Sequence, residues 1–132
     1  MLPARSALLL SLALAFALPL TALAQDSPAR KEFRRIDFDG APGMEVVSSI
    51  TEYKPGELLA AHLHHGVEAL YVVQGAMIQP PGKEPTMLPT GAALMNLREV
   101  MHGGFRIIGD TSLKLFTVHI VDKGKPLYDV AK

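Results

Sequence analysis

The sequence predicts an all-β fold, a single sandwich or barrel, on three observations. From residue 45 onward short apolar runs are separated by Gly and Pro, and no apolar stripe repeats at helical spacing. The interruptions fall at turn-forming pairs and triplets. The length, 132 residues, admits one domain around one core and excludes two large ones. Taken in order, a strand is expected over 45–53, ended by Pro55-Gly56, and another over 58–64, ended by His65-Gly66. Strands over 69–74 and 76–79 run up to Pro80-Pro81-Gly82, and one over 86–88 runs up to Pro89-Thr90-Gly91. The last three are 92–96, 101–108 ahead of Gly109-Asp110, and 113–121. Residues 25–45 are polar and irregular, with Arg30-Lys31-Glu32 and Arg34-Arg35 expected in a solvated arm, and 123–132 read as a tail. The barrel itself is expected over 46–122.

Residues 1–24 read as a signal peptide. Arg5 precedes an apolar run over 7–18 broken only by Ser11, Pro19 ends it, and Ala22-Leu23-Ala24 places small residues where a signal peptidase inspects the chain. Cleavage after Ala24 is expected, with Sec-type export to the periplasm or outside the cell. The apolar run is shorter than the ~20 residues that span a bilayer, so no membrane association is expected after cleavage. Arg5 has no twin, which implies export of an unfolded chain and loading of any metal outside the cytoplasm. The sequence has no cysteine, which excludes a disulfide framework and a lipid-bearing cysteine.

Thirteen Lys+Arg balance thirteen Asp+Glu, and no run of like charge departs from that balance. A phosphate-binding face is therefore not expected, and 6% aromatics without Trp make a poor base-stacking platform. Nucleic acid is excluded as a partner. The function is expected to come from a pocket that takes a small molecule.

Three of the five histidines lie in His62-Leu63-His64-His65, directly after an apolar run. On an extended strand, residues i and i+2 face one side about 6.5–7 Å apart, so His62 and His64 can converge on one ion while His65 points away. If 58–64 and 69–74 pair across His65-Gly66-Val67, the Glu68 carboxylate arrives beside the two imidazoles. His102, at the start of another expected strand, can complete the set from across a barrel.

These residues resemble the cupin superfamily, whose first motif is a Gly, five residues, His-x-His, three or four residues, Glu, six residues and Gly. Gly56, His62, His64, Glu68 and Gly75 match it without a spacing error. The second motif places Pro-x-Gly before a further His, and Pro89-Thr90-Gly91 with His102 correspond to it. The glycine that precedes that Pro by six positions is displaced to Gly82, and Asn96-Leu97-Arg98-Glu99 stands where a proline is often found. The closing Val121-Asp122-Lys123-Gly124-Lys125-Pro126-Leu127 also looks like the small exported bacterial cupins of one conserved-barrel domain. The resemblance implies a double-stranded β-helix, or jelly-roll, barrel. It further implies one divalent transition metal ion, Fe, Mn, Ni, Cu or Zn, held by His62, His64, Glu68 and His102. A homodimer is expected from the same resemblance, since barrel-edge strands otherwise remain exposed.

Two residues are candidate substrate contacts. Arg106 shares strand parity with His102 and can clamp an anion or end the strand in water. His119, on the last strand with Leu113, Leu115 and Thr117 on its face, can reach the site or serve as a buried structural histidine. Met77, Met87, Met95 and Met101 are expected to fill the barrel or an interface. Two functions stay open. One is a mononuclear metal oxygenase or related lyase acting on a small oxygenated or anionic molecule, with Glu68 as a catalytic group that accepts a substrate proton. The other is a non-catalytic binding module in which the metal staples the barrel.

Overall fold

Buried residues alternate strictly with less buried ones in both Met44–Tyr53 (β2) and Leu113–Asp122 (β10), the period-two pattern of strands with one face on a core. The computed structural model describes residues 30–131, so the expected leader over 1–24 and its cleavage site lie outside the described residues. The other strands, in chain order, are Arg30–Asp37 (β1), Leu58–Leu59 (β3), His62–Leu63 (β4), Gly66–Gln74 (β5), Ala76–Gln79 (β6), Thr86–Leu88 (β7), Ala93–Asn96 (β8), Phe105–Ile108 (β9) and Asp129–Val130 (β11). The described residues contain no helix.

All strand pairs are antiparallel. One sheet has the order β1-β2-β10-β5-β8, a second has β3-β9-β6-β7, and β11 pairs with β4. Strand β10 is central to the larger sheet, with Leu113 to Asp122 opposite Tyr53 to Met44 on one side and Glu68 opposite His119 on the other. The inward face of this sheet changes character along its length. At one end Tyr53, Val72, Leu113 and Leu115 join Ala76, Ile78 and Ile107 in an apolar core. Further along, the buried residues are mostly polar, among them Ser49, Thr51, Glu68, Thr117 and His119, with Val47 and Val121 beyond them. The Ser49 and Thr117 hydroxyls satisfy each other at 2.9 Å.

The strands expected over 76–79 and 86–88 are found with those bounds. Three expectations are corrected. Residues 30–37 are exposed as expected of a solvated segment but are not irregular: they form edge strand β1, paired to β2 with a bulge between Glu32 and Arg34. Backbone bonds to β2 and an ion pair from Arg35 to the buried Glu45 hold it, so the charged sequence suits an edge strand. Residues 123–132 are not a free tail, because β11 returns to pair with β4 and buries Tyr128. The stretch 58–64 does not form a hairpin with 69–74. It splits into β3, paired with β9, and β4, while β5 goes to the opposite sheet.

Gly66 makes that divergence possible. A Cβ built there would lie 2.0 Å from the Ile120 carbonyl oxygen and 2.5 Å from the Val121 Cα, backbone atoms that cannot move aside. Gly66→Ala should therefore lower stability by more than ~2 kcal/mol, read as a fall in the urea midpoint. Gly109→Ala, at φ +79° with nothing within 4 Å, should cost only about 1 kcal/mol.

Candidate metal centre

His62, in β4, and His64, just past its end, lie two residues apart and are both buried, 4% and 0% exposed. His102 lies beside them because its backbone exchanges two 2.9 Å hydrogen bonds with that of His62. Glu68 faces inward on β5, between His119 on β10 and Asn96 on β8. The strand topology thus brings the four expected ligands to one place.

Their reactive atoms converge. The Nε2 atoms of His64 and His102 are 3.1 Å apart, and Oε2 of Glu68 is 3.3 Å from the first and 3.5 Å from the second. The His62 ring centroid lies 4.3 Å from that of His102 and 4.9 Å from that of His64. Donor atoms at adjacent positions of an octahedral ion with bonds of about 2.1 Å stand about 3 Å apart, so this spacing suits a cation.

Proton positions give an independent test of fit. His62 Nδ1 bonds the Ala60 carbonyl at 2.8 Å, His64 Nδ1 the Leu127 carbonyl at 2.6 Å, and His102 Nδ1 the Val100 carbonyl at 2.9 Å. A carbonyl oxygen only accepts, so each Nδ1 carries the proton and each neutral ring has a bare lone pair on Nε2. Two such lone pairs face each other across 3.1 Å between His64 and His102. A positive centre between them relieves that repulsion, and the donor set fits a divalent transition ion.

The electrostatics differ from ring to ring. Burial pushes His62 down to about 4 against the Ala60 bond, with the His102 and His64 rings adding to the fall. Burial also lowers His119, against the pull of Glu68. For His102 burial is outweighed by Glu68 and the Val100 carbonyl, and the ring is raised. Burial alone would raise Glu68, but the imidazoles of His102, His119 and His64 hold it well below the usual carboxylate range.

The remaining candidates separate clearly. His65 points away from the cluster to Asp129 Oδ2 at 3.2 Å. His119 is fully buried with Nε2 3.3 Å from Glu68 Oε1, yet neither of its ring nitrogens makes a hydrogen bond. With His64 and Glu68 it forms a second group of converging donor atoms. Arg106 is not brought to the site, because its exposed guanidinium bonds the Gly56 carbonyl at the strand end. Met87, Met95 and Met101 are about half exposed or more and do not fill the barrel.

Three contributors carry no motif signal. Asn96 donates its amide to Glu68 Oε2 at 2.6 Å, and only its register opposite Glu68 could have marked it. Leu127 supplies a backbone carbonyl, and Tyr128 sets its ring 4.8 Å from that of His62 and 5.1 Å from that of His64. The second motif also moves. Glu99 adopts φ +59°, a conformation that favours glycine, three residues before His102. Leu97-Arg98-Glu99 therefore occupies the Pro-x-Gly position, six residues after Gly91, and Pro89-Thr90-Gly91 is only the turn into β8.

His62, Glu68, Asn96 and His102 open into a cavity of about 180 Å³. No family model and no curated protein matches the sequence. Among solved structures, the chain resembles a double-stranded β-helix protein from Klebsiella pneumoniae subsp. pneumoniae MGH 78578, with TM-score 0.56 and 18% identity over 83% of this chain and 91% of that one. The chain has the cupin fold. The same barrel is shared with the polyketide cyclase RemF from Streptomyces resistomycificus, at TM-score 0.53 and 20% identity over 80% of this chain and 72% of that one. It is shared also with a chain from the DMSP lyases RdDddP and RnDddQII, at TM-score 0.52 and 17% identity over 66% of this chain. The cupin barrel described here spans only 44% of that lyase chain.

The lowered imidazoles predict how the metal-free protein responds to acid. His62 takes up its proton near 6.5 when unfolded and near 4 when folded, so stability falls as pH drops through that window. The loss from His62 is on the order of 3 kcal/mol, with His119 acting in the same direction and the raised His102 offsetting part of it. Urea midpoints of chelator-treated protein should be lower at pH 5 than at pH 7.5. Equal midpoints would show that these rings do not stay neutral when folded.

Proposed function

We propose that this chain is a metal-dependent enzyme, an oxygenase or a lyase, that acts on a small molecule. One divalent transition ion is held by His62, His64, Glu68 and His102. The observation that carries this reading is the set of three Nδ1-to-carbonyl bonds, which leave Nε2 of His62, His64 and His102 free to bind an ion, those of His64 and His102 within 3.5 Å of the Glu68 carboxylate. Bound there, the ion supplies a Lewis acid that polarises a substrate oxygen and positions at which substrate or oxygen can bind. Asn96 holds Glu68 Oε2 in place, and the leucines of the cavity wall exclude water from the reacting group. Related chemistry on this fold supports the choice, since the structurally similar proteins include DMSP lyases and a polyketide cyclase.

Metal analysis of protein recovered from its export compartment should find about one ion per chain. His62→Ala, His64→Ala and Glu68→Ala should each lose most of it, whereas His65→Ala should keep it. His102→Gln should lose metal before it loses structure by circular dichroism. Oxygen uptake and product analysis with small diols, enols and thiols then separate oxygenase from lyase. A full complement of metal in the His64→Ala protein would overturn the assignment, and metal without any turnover would leave a binding module.

The leader sequence supports export with cleavage after Ala24, and the exposed Phe33, Tyr71, Val73, Met95 and Phe116 support a homodimer. Intact mass and light scattering of the exported protein test the two together. The expected result is a chain that begins at Gln25 and a particle of two such chains. A membrane-bound chain retaining Met1 would reject cleavage, and a monomeric particle would reject the dimer.

A further inference from the structure

His119 belongs to neither the ligand set nor the cavity wall. It is 0% exposed, and neither of its ring nitrogens has a hydrogen-bond partner. Glu68 does line the cavity, with His62 and His102, so His119 lies behind the carboxylate and can act on a bound molecule only through it.

Register puts the ring there. His119 on β10 is the cross-strand partner of Glu68 on β5, and such partners on one sheet face are neighbours. The ring stands edge-on to those of His64 and Tyr128, with centroids 4.6 Å and 5.8 Å away. The acceptor that faces it is the Glu68 carboxylate, whose Oε1 is 3.3 Å from Nε2.

The two oxygens of Glu68 are thereby divided. Oε2 accepts from Asn96 at 2.6 Å and lies 3.3 Å and 3.5 Å from Nε2 of His64 and His102. Oε1 is left to His119. A neutral imidazole carries one N–H. With that proton on Nδ1, the Nε2 lone pair would face a carboxylate oxygen and the N–H would be buried without an acceptor. With the proton on Nε2, a small turn of the ring or of the carboxyl brings the N–H into line with Oε1, and only a bare acceptor nitrogen stays unpaired.

The division matters because a carboxylate can bind an ion through one oxygen or through both. Three imidazoles and one carboxylate oxygen leave two positions of an octahedral ion open, and a second carboxylate oxygen would take one of them. We propose that His119 is a positioning residue: it donates from Nε2 to Glu68 Oε1, so that Glu68 binds the ion through Oε2 alone and two positions stay open for a ligand that binds through two atoms. This inference rests on the metal-centre reading.

Cobalt(II)-loaded protein tests it, with visible absorption as the readout and two probes. Acetohydroxamate chelates through two oxygens, whereas azide needs one position. Wild-type protein should bind both. His119→Leu, which removes the donor, should keep its cobalt, bind acetohydroxamate at least about tenfold more weakly and bind azide within about twofold of wild type. His119→Gln keeps an N–H and should recover most of the acetohydroxamate affinity. The proposal is overturned if cobalt-loaded wild type does not bind acetohydroxamate, if His119→Leu binds it unchanged or loses azide equally, or if His119→Gln recovers nothing. Loss of cobalt from folded His119→Leu would make the ring a ligand instead and overturn it too. A wild-type protein that takes up no cobalt would reject the metal-centre reading separately. In that event, or if His119→Leu does not fold, proton–nitrogen correlation NMR of the wild-type imidazoles decides. A proton on His119 Nε2 keeps its hold on Glu68, and a bare Nε2 overturns it.

Discussion

Three backbone carbonyls decide the protonation of the site. Those of Ala60, Val100 and Leu127 each take the Nδ1 proton of one histidine, which leaves the Nε2 lone pairs facing inward. The carbonyls come from three separate places: the residue pair before β4, the turn before His102, and the segment before β11. None is positioned until the barrel closes, so the unfolded chain has histidines but no site. The arrangement is costly without a cation, because bare nitrogens meet at 3.1 Å inside the protein. Burial of His62 compounds that cost and makes its ring a poorer host for a proton in the folded state.

The barrel can carry this cost because its interior is divided. Along the inward face of β10 the residues pass from Leu113 and Leu115 to Thr117 and His119, and β2 opposite passes from Tyr53 to Thr51 and Ser49. The apolar end packs Val72, Ala76, Ile78 and Ile107 into a conventional core that stabilises the fold. The polar stretch is free to hold groups that a uniform core would expel. Thr51 lies on the boundary, opposite Leu115, and its hydroxyl has no hydrogen-bond partner.

The strand pattern and the first ligand set were legible in the sequence because both follow short-range rules. Alternation marks β2 and β10, and the spacing marks His62, His64 and Glu68, although Glu68 reaches the histidines from the opposite sheet and not across a hairpin. Features set by the backbone of distant segments were not legible. Arg30–Asp37 has no apolar alternation, and it became a strand because β2 offers an edge and Glu45 offers Arg35 a partner. The segment before His102 lacks both proline and glycine, and Glu99 takes up a left-handed conformation that its residue type does not advertise. Leu127 acts through a carbonyl, which every residue possesses, so no side-chain pattern could mark it.

A two-residue strand is a weak platform for a metal ligand, and β4 would be one if it stood alone. It does not. The His62 backbone is bridged to His102 on one side and paired with Val130 on the other, which makes the ligand strand the middle of three. Ala131 adds a bond to the Ala61 carbonyl, and Asp129 holds His65 by its side chain. The C-terminal segment therefore grips the His62-Leu63-His64-His65 stretch through its main chain, through the His64 ring and through the Tyr128 ring. Precision at the ligands comes from this three-way support, since strand pairing fixes where the His62 backbone lies and the carbonyls fix how the rings turn.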